Sequence, residues 1–184
     1  MTRLLVLVSG LPLSGKTTLA RLLSNRLNAP MFSLGDVIRE EASKLNRDPG
    51  EVASLLRVRE GRRVVASRLA EKIRNVNSDV IIIEGVRSIE EVQELCEKLH
   101  AVPYLIYVVS SRPVREKRLR ARGRTDDVTL CTVTVRDLRE AAYGLTELIV
   151  YADKIVVNDF ENVSELEREV EAITEDIRRS LSRQ

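Results

Sequence analysis

Cysteine and histidine are scarce in this chain of 184 residues. The two cysteines, Cys96 and Cys131, stand far apart, each on the apolar stripe of an expected helix. They read as small buried hydrophobes and not as a disulfide or a metal pair. The single histidine, His100, closes a helical pattern, where its ring suits the helix dipole, and it cannot assemble a metal site alone. Long apolar runs are missing as well. None approaches the roughly 20 residues of a membrane span. The short apolar stretch near the N-terminus runs straight into a glycine-bearing loop, which argues against a signal peptide. No membrane attachment and a cytoplasmic location are therefore expected. An excess of either charge is also absent: 30 basic and 28 acidic residues leave a net +2, too little for a general nucleic-acid binder. Lysine is rare, at only six of the 30 basic residues. Cationic chemistry here rests on arginine, which grips phosphate through two parallel hydrogen bonds.

What is present is an alternation of short apolar runs and helical periodicities, in a chain whose 43% hydrophobic content can fill one core. A single domain over 1–184 is expected. A first strand at about 3–9 leads into a helix at about 16–28, with Leu19, Leu22, Leu23 and Leu27 on one face. Pro30 to Ser33 fits a brief second strand. Residues 35–46 and about 51–76 read as helices, broken near Asp48-Pro49-Gly50. Val80-Ile-Ile-Ile83 is a continuous apolar run, as a parallel strand covered on both faces requires. Ser88 and Glu91 form a capping box before the next helix, and Ser164 and Glu167 form another before the last one. Tyr104–Val109 and Ile155–Val157 supply the fourth and fifth strands. Thr129 to Val135 alternates like a strand. The longer spacing of Val128, Cys131, Val135, Leu138, Ala142, Leu145 and Ile149 outweighs that local signal and predicts a helix from about 128 to 149. The sum is an α/β fold: a five-stranded parallel sheet with helices on both faces.

The strongest motif is Gly10-Leu11-Pro12-Leu13-Ser14-Gly15-Lys16-Thr17, followed by Thr18. The spacing G-x-x-x-x-G-K-[ST] between a strand and a helix is a P-loop, or Walker A motif. Its glycines let successive amides curl around phosphate oxygens, and the new helix adds its positive end. Lys16 then reaches the β- and γ-phosphates, and Thr17 is placed to ligate Mg²⁺. ATP and Mg²⁺ are the expected cofactors. Ligands of such sheets bind outside the carboxyl ends of the strands, and the polar motifs lie there: Ser33 to Arg39, Glu84 to Arg87, and Asn158-Asp159. The fourth strand leads into a helix carrying Arg112, Arg115, Arg118, Arg120, Arg122 and Arg124.

Ser33-Leu-Gly-Asp-Val-Ile-Arg39 resembles the S-T-G-D-x-L-R segment of adenylate kinases, and Glu84-Gly-Val-Arg87 resembles their D-G-F-P-R segment. Ala152-Asp153-Lys-Ile-Val-Val-Asn158 is similar instead to the A-D-x-V-I-x-N segment of dephospho-CoA kinases. With Arg122-Gly-Arg124, nearly the whole chain resembles a set of archaeal P-loop kinases described as adenylate-kinase-related or dephospho-CoA-kinase-like. That resemblance implies a nucleoside-monophosphate-kinase-like phosphotransferase and leaves its acceptor open. It implies an acceptor-binding helical insert at about 35–76 and a short arginine-rich lid at about 112–128. Arg39 and Arg87 would grip an acceptor phosphate beside Asp36, and Glu84 would hold Mg²⁺ in a Walker-B-like role where adenylate kinases carry Asp. Arg120 and Arg124 match the lid arginines, and Asn158 would meet the adenine edge or serve as a turn residue. Arg136 and Arg139 could turn back toward the phosphates. The expected partner is a small nucleotide acceptor, with nucleic acid disfavoured. The first expectation is a monophosphate kinase. The alternatives are a dephospho-CoA kinase, with Asp36 as base, and an ATPase switch or RNA-processing partner.

Overall fold

The computed structural model describes residues 3–122, 130–160 and 162–181. Five strands, β1 (Arg3–Gly10), β2 (Met31–Ser33), β3 (Val80–Glu84), β4 (Ala101–Val109) and β5 (Lys154–Val157), form one sheet in the order β2-β3-β1-β4-β5. Every pairing is parallel. The alternation of side chains along a strand explains why the central runs are apolar throughout. Leu4, Val6 and Val8 of β1 pack on one face with α1 (Lys16–Leu27) and α8 (Val163–Leu181). Leu5 and Leu7 face the other way. There they meet α2 (Leu34–Leu45), α3 (Pro49–Glu60), α4 (Val64–Ile73) and α5 (Ile89–Leu99). The remaining helices are α6 (Arg112–Arg122), α7 (Leu130–Ala142) and a 3₁₀ helix at Leu145–Tyr151.

Two helix expectations need correction. The stretch at 51–76 is two helices, because Gly61 takes a positive φ of 90° and caps α3 by donating its N–H to Arg57 O at 3.1 Å. The chain restarts as α4 at Val64. The segment at 128–149 is likewise not one helix. α7 stops at Ala142, Gly144 turns at φ 99°, and the chain continues as the 3₁₀ helix. The apolar stripe expected there is not the buried one: Val135 and Leu138 are exposed, whereas Val133 is buried. Leu145 is buried as expected, together with Leu148, but only after the turn resets the periodicity. Val128 lies outside the described residues, as does the side chain of Cys131.

His100 closes α5 in the left-handed region, and Cys96 is half-buried on that helix, where burial pushes its thiol up to about 11. Among the described residues, no helix is long and apolar enough to cross a membrane.

Candidate active site

The phosphate-binding loop occupies residues 10–17, where β1 ends between β3 and β4. Gly10 sits at φ 140°, and a Cβ there would come within 2.3 Å of Val108 O. The loop turns again at Leu13 (φ 67°) and Gly15 (φ 93°). Gly15 is the N-cap of α1 and offers no side chain to its first amides, and the first turn carries no acidic residue. Those amides have no acceptor within the helix, so the positive end of α1 is left for an external anion. Ser14 Oγ is buried and lacks a hydrogen-bond partner among the described residues. An uncapped helix start and an orphaned hydroxyl both fit a nucleotide phosphate.

Glu84 joins the two sides of this site. It ends β3 in register with Val8 of β1 and Ser33 of β2. Thr17 Oγ1 donates to its Oε2 at 3.3 Å, and Ser33 Oγ donates to its Oε1 at 2.5 Å. Ser33 in turn caps α2, accepting from Gly35 N at 3.1 Å. Glu84 is only 7% exposed. Two hydroxyl donors and the nearby Lys16 ammonium answer the cost of burying its charge. Lys16 donates to Leu11 O at 3.4 Å. Burial holds its pKa below the ordinary lysine value; Glu84 opposes that shift, and Arg87 adds to it. No cluster of three or more His, Cys, Asp or Glu able to hold a metal exists among the described residues. Magnesium suits the site nonetheless, since it needs only one or two protein oxygens beside phosphates and water, and Thr17 and Glu84 would supply them.

The three residues expected to bind the acceptor stand in two separate places. Asp36 and Arg39 lie on the first turns of α2 and hold each other, with Arg39 Nε 3.2 Å from Asp36 Oδ1 and both side chains exposed. Arg87 lies after β3. Its Nε donates to Glu140 Oε2 of α7, its backbone N–H donates to Glu91 Oε2 at 2.7 Å, and its buried Nη1 lacks a partner among the described residues. Burial pulls Arg87 down, but Glu140, Glu91 and Glu84 outweigh it, and its pKa lies above the ordinary arginine value. Glu91 was legible only as half of a capping box. Ser88 Oγ does accept from Glu91 N, at 3.3 Å. The carboxylate, however, binds Arg87 N and the buried Arg57, whose Nη2 is 2.6 Å away. Arg57 stacks under Tyr143, 4.4 Å from the ring centre.

The arginine run divides differently from the lid expectation. Arg120 is exposed on α6, and Arg124 lies outside the described residues. Arg115 and Arg118 face the P-loop, with Arg115 Nη1 3.5 Å from Pro12 O and Arg118 Nη1 3.2 Å from Leu13 O. Arg115 also pairs with Asp137 of α7 at 2.8 Å. Asn158 is buried, and its side-chain amide donates to Ser14 O at 2.7 Å. Its spacing after β5 marked it as a site residue, but not that it would face the loop backbone. Arg136 acts on Lys16 electrostatically. Arg139 does not turn back toward the loop but lies against Gly50 at the start of α3. A concavity of about 440 Å³ lies elsewhere, among α3, α4 and α5, lined by Glu60, Arg63, Arg68 and Glu94. Those charges are already paired with one another, as in Arg68–Glu60 and Arg63–Glu94.

A P-loop facing a buried carboxylate, on this strand order, is the nucleoside-monophosphate-kinase-like form of the P-loop fold. Solved structures share it. A gluconokinase from Sinorhizobium meliloti matches with a TM-score of 0.65 at 14% identity, over 96% of this chain and 94% of that one. A shikimate kinase from Bacteroides thetaiotaomicron matches with a TM-score of 0.62 at 19% identity, over 95% and 98%. At such identities the likeness concerns the fold. A family model described as an AAA domain matches residues 9–130. A UPF0200 protein of Pyrobaculum aerophilum is 42% identical over 172 residues, covering 93% of this chain and 97% of that protein. The chain belongs to the UPF0200 family.

Proposed function

We propose that the chain is an ATP-dependent phosphotransferase whose acceptor is a nucleoside monophosphate or a similar small nucleotide. The observation that carries this reading is the position of Glu84, which binds the Walker A Thr17 with one oxygen and Ser33, at the head of the acceptor segment, with the other. Donor and acceptor sides therefore meet on one buried carboxylate, with Lys16 beside it. MgATP, when bound, supplies the transferable phosphoryl group and the metal charge. The loop amides and Lys16 would hold the donor phosphates, and Thr17 and Glu84 would hold the metal. Such transfer needs positioning and charge cancellation more than covalent chemistry. Arg39 and Arg87 take the acceptor phosphate, and Glu140 yields its place on Arg87 as the phosphate arrives. Arg120 and Arg124 close over the site as lid residues, on the family resemblance, and the loop at Asn158 borders the adenine.

An acceptor phosphate is already anionic and needs no base. The Asp36–Arg39 pair supports an orienting role for Asp36. The second reading, a dephospho-CoA-kinase-like reaction, would instead need Asp36 to take a proton from a hydroxyl. Asp36→Asn separates the two. A monophosphate kinase should retain substantial kcat, whereas loss of a general base lowers the rate by roughly 10²–10⁴ and removes the acidic limb of the pH–rate profile. Loss of kcat and of that limb, with ATP affinity intact, would overturn the monophosphate reading.

A further inference from the structure

A loop that turns its amides inward toward phosphates turns its carbonyls outward, and each of those carbonyls needs a donor. In this chain the donors are known. Leu11 O accepts from Ser14 N at 3.2 Å, within the loop, and from Lys16 Nζ. The next three carbonyls are held from distant parts of the chain: Pro12 O by Arg115, Leu13 O by Arg118, and Ser14 O by Arg118 at 3.2 Å and by Asn158 Nδ2 at 2.7 Å. We propose that Arg118 and Asn158 are positioning residues that hold the P-loop in its nucleotide-ready form from behind, with Arg115 as a third support. The proposal rests on the phosphotransferase reading above and extends it to side chains that act through the loop backbone.

The support is itself rigid. Asn158 is 3% exposed and anchored by its own backbone, whose N–H donates to Val109 O at 2.7 Å. Its two side-chain atoms have distinct partners, Nδ2 on Ser14 O and Oδ1 on Arg118 Nη2 at 3.3 Å. Arg118 also donates to Asn158 O at 3.0 Å and to Ser110 Oγ at 3.2 Å, and Ser110 donates to Asp159 at 2.9 Å. One planar guanidinium thus ties the ends of β4 and β5 to the loop, which a lysine ammonium cannot reproduce. With its donors engaged in this way, Arg118 is not waiting as a lid residue.

Two features of the loop follow from this support. Leu13 holds a left-handed φ of 67°, costly for a residue with a side chain, and its carbonyl is one that Arg118 grips. Gly15 has no room for a Cβ, which would lie 2.2 Å from Asn158 Nδ2. The second glycine of the motif is therefore needed for the brace as well as for the turn.

The test is equilibrium titration of wild type, Arg118→Lys and Asn158→Asp with a fluorescent N-methylanthraniloyl-ATP plus Mg²⁺, alongside steady-state kinetics. Asn158→Asp keeps a partner for Arg118 while placing a carboxylate against Ser14 O, so it should fold even where Arg118→Lys does not. Each folded variant should bind the probe at least tenfold more weakly, with the acceptor KM unchanged. The Arg118→Lys/Asn158→Asp double variant should be little worse than either single, because the two act through one support. Wild-type probe affinity in folded Arg118→Lys or Asn158→Asp would overturn the brace alone. A wild type that fails to bind the probe would overturn the phosphotransferase reading, and the brace with it. A lowered melting temperature with unchanged affinity would assign these residues to stability only and reject the proposal.

Discussion

Replacing Glu84 by glutamine separates what this carboxylate does for the fold from what it does for the site. Its two oxygens accept from Thr17 and Ser33 at 7% exposure. Glutamine keeps the shape and one acceptor, and its NH₂ can donate to a hydroxyl, since hydroxyls also accept. Weakening two charge-assisted hydrogen bonds costs about 1–3 kcal/mol. Burying the carboxylate costs several kcal/mol, which glutamine avoids. The two effects oppose each other and are similar in size. The melting temperature should therefore move by no more than about 5 °C, at roughly 2–4 °C per kcal/mol for a chain of this length. Transfer should respond very differently. If Glu84 helps hold the metal, its loss should lower kcat by about 10²–10³, equivalent to roughly 2.7–4 kcal/mol. Lys16 supplies a second signal. Burial already holds its ammonium below the usual lysine value, and Glu84 opposes that. Without Glu84 the ammonium should lose its proton at lower pH, moving the alkaline limb of the pH–rate profile downward. Thermal melts by circular dichroism and kcat measured across a Mg²⁺ series decide the matter. Wild-type kcat with unchanged Mg²⁺ dependence would refute the metal role. A melting temperature lower by more than about 10 °C would show that Glu84 serves the fold first.

Arg39→Ala and Arg87→Ala should each raise the acceptor KM strongly while leaving the ATP KM almost unchanged, and Glu140→Gln, which removes the carboxylate from Arg87, should lower it. Equal effects on both substrates would dismiss the acceptor clamp. Glu91→Ala strands the buried Arg57 guanidinium and should cost about 3–5 kcal/mol, seen as a fall of roughly 10 °C in the melting temperature. A change of less than about 2 °C would mean that Arg57 finds another partner or is hydrated.

The parts of this molecule governed by local rules were legible in the sequence. The P-loop is contiguous, and the runs at Leu4–Val8 and Val80–Ile83 are apolar because both faces of those strands are covered. Placing Ser33, Glu84 and Asn158 after strands put them near one end of the sheet. The helix break at Gly61 was missed because one glycine in a helix-favouring stretch is locally tolerable, and tertiary packing decides the outcome. The stripe through Val135 and Leu138 failed because spacing alone cannot say which face of α7 meets the core, and Val133 does. Charge roles were the least legible. Glu91 meets Arg57 across 34 positions, Arg87 meets Glu140 across 53, and Arg118 meets Ser14 across 104. Nothing in the run from Arg112 to Arg124 separates the arginines that support the loop from those that face solvent.

Transfer of a phosphoryl group from ATP to a small acceptor is open to direct measurement. Wild type and Lys16→Ala are incubated with γ-labelled ATP, Mg²⁺ and, in separate reactions, the nucleoside monophosphates, dephospho-CoA or water alone, and the labelled products are resolved. Wild type should place label in a nucleoside diphosphate, and folded Lys16→Ala should lose at least about 100-fold, roughly 2.7 kcal/mol. Label only in inorganic phosphate, or transfer that persists unchanged without the Lys16 ammonium, would contradict it.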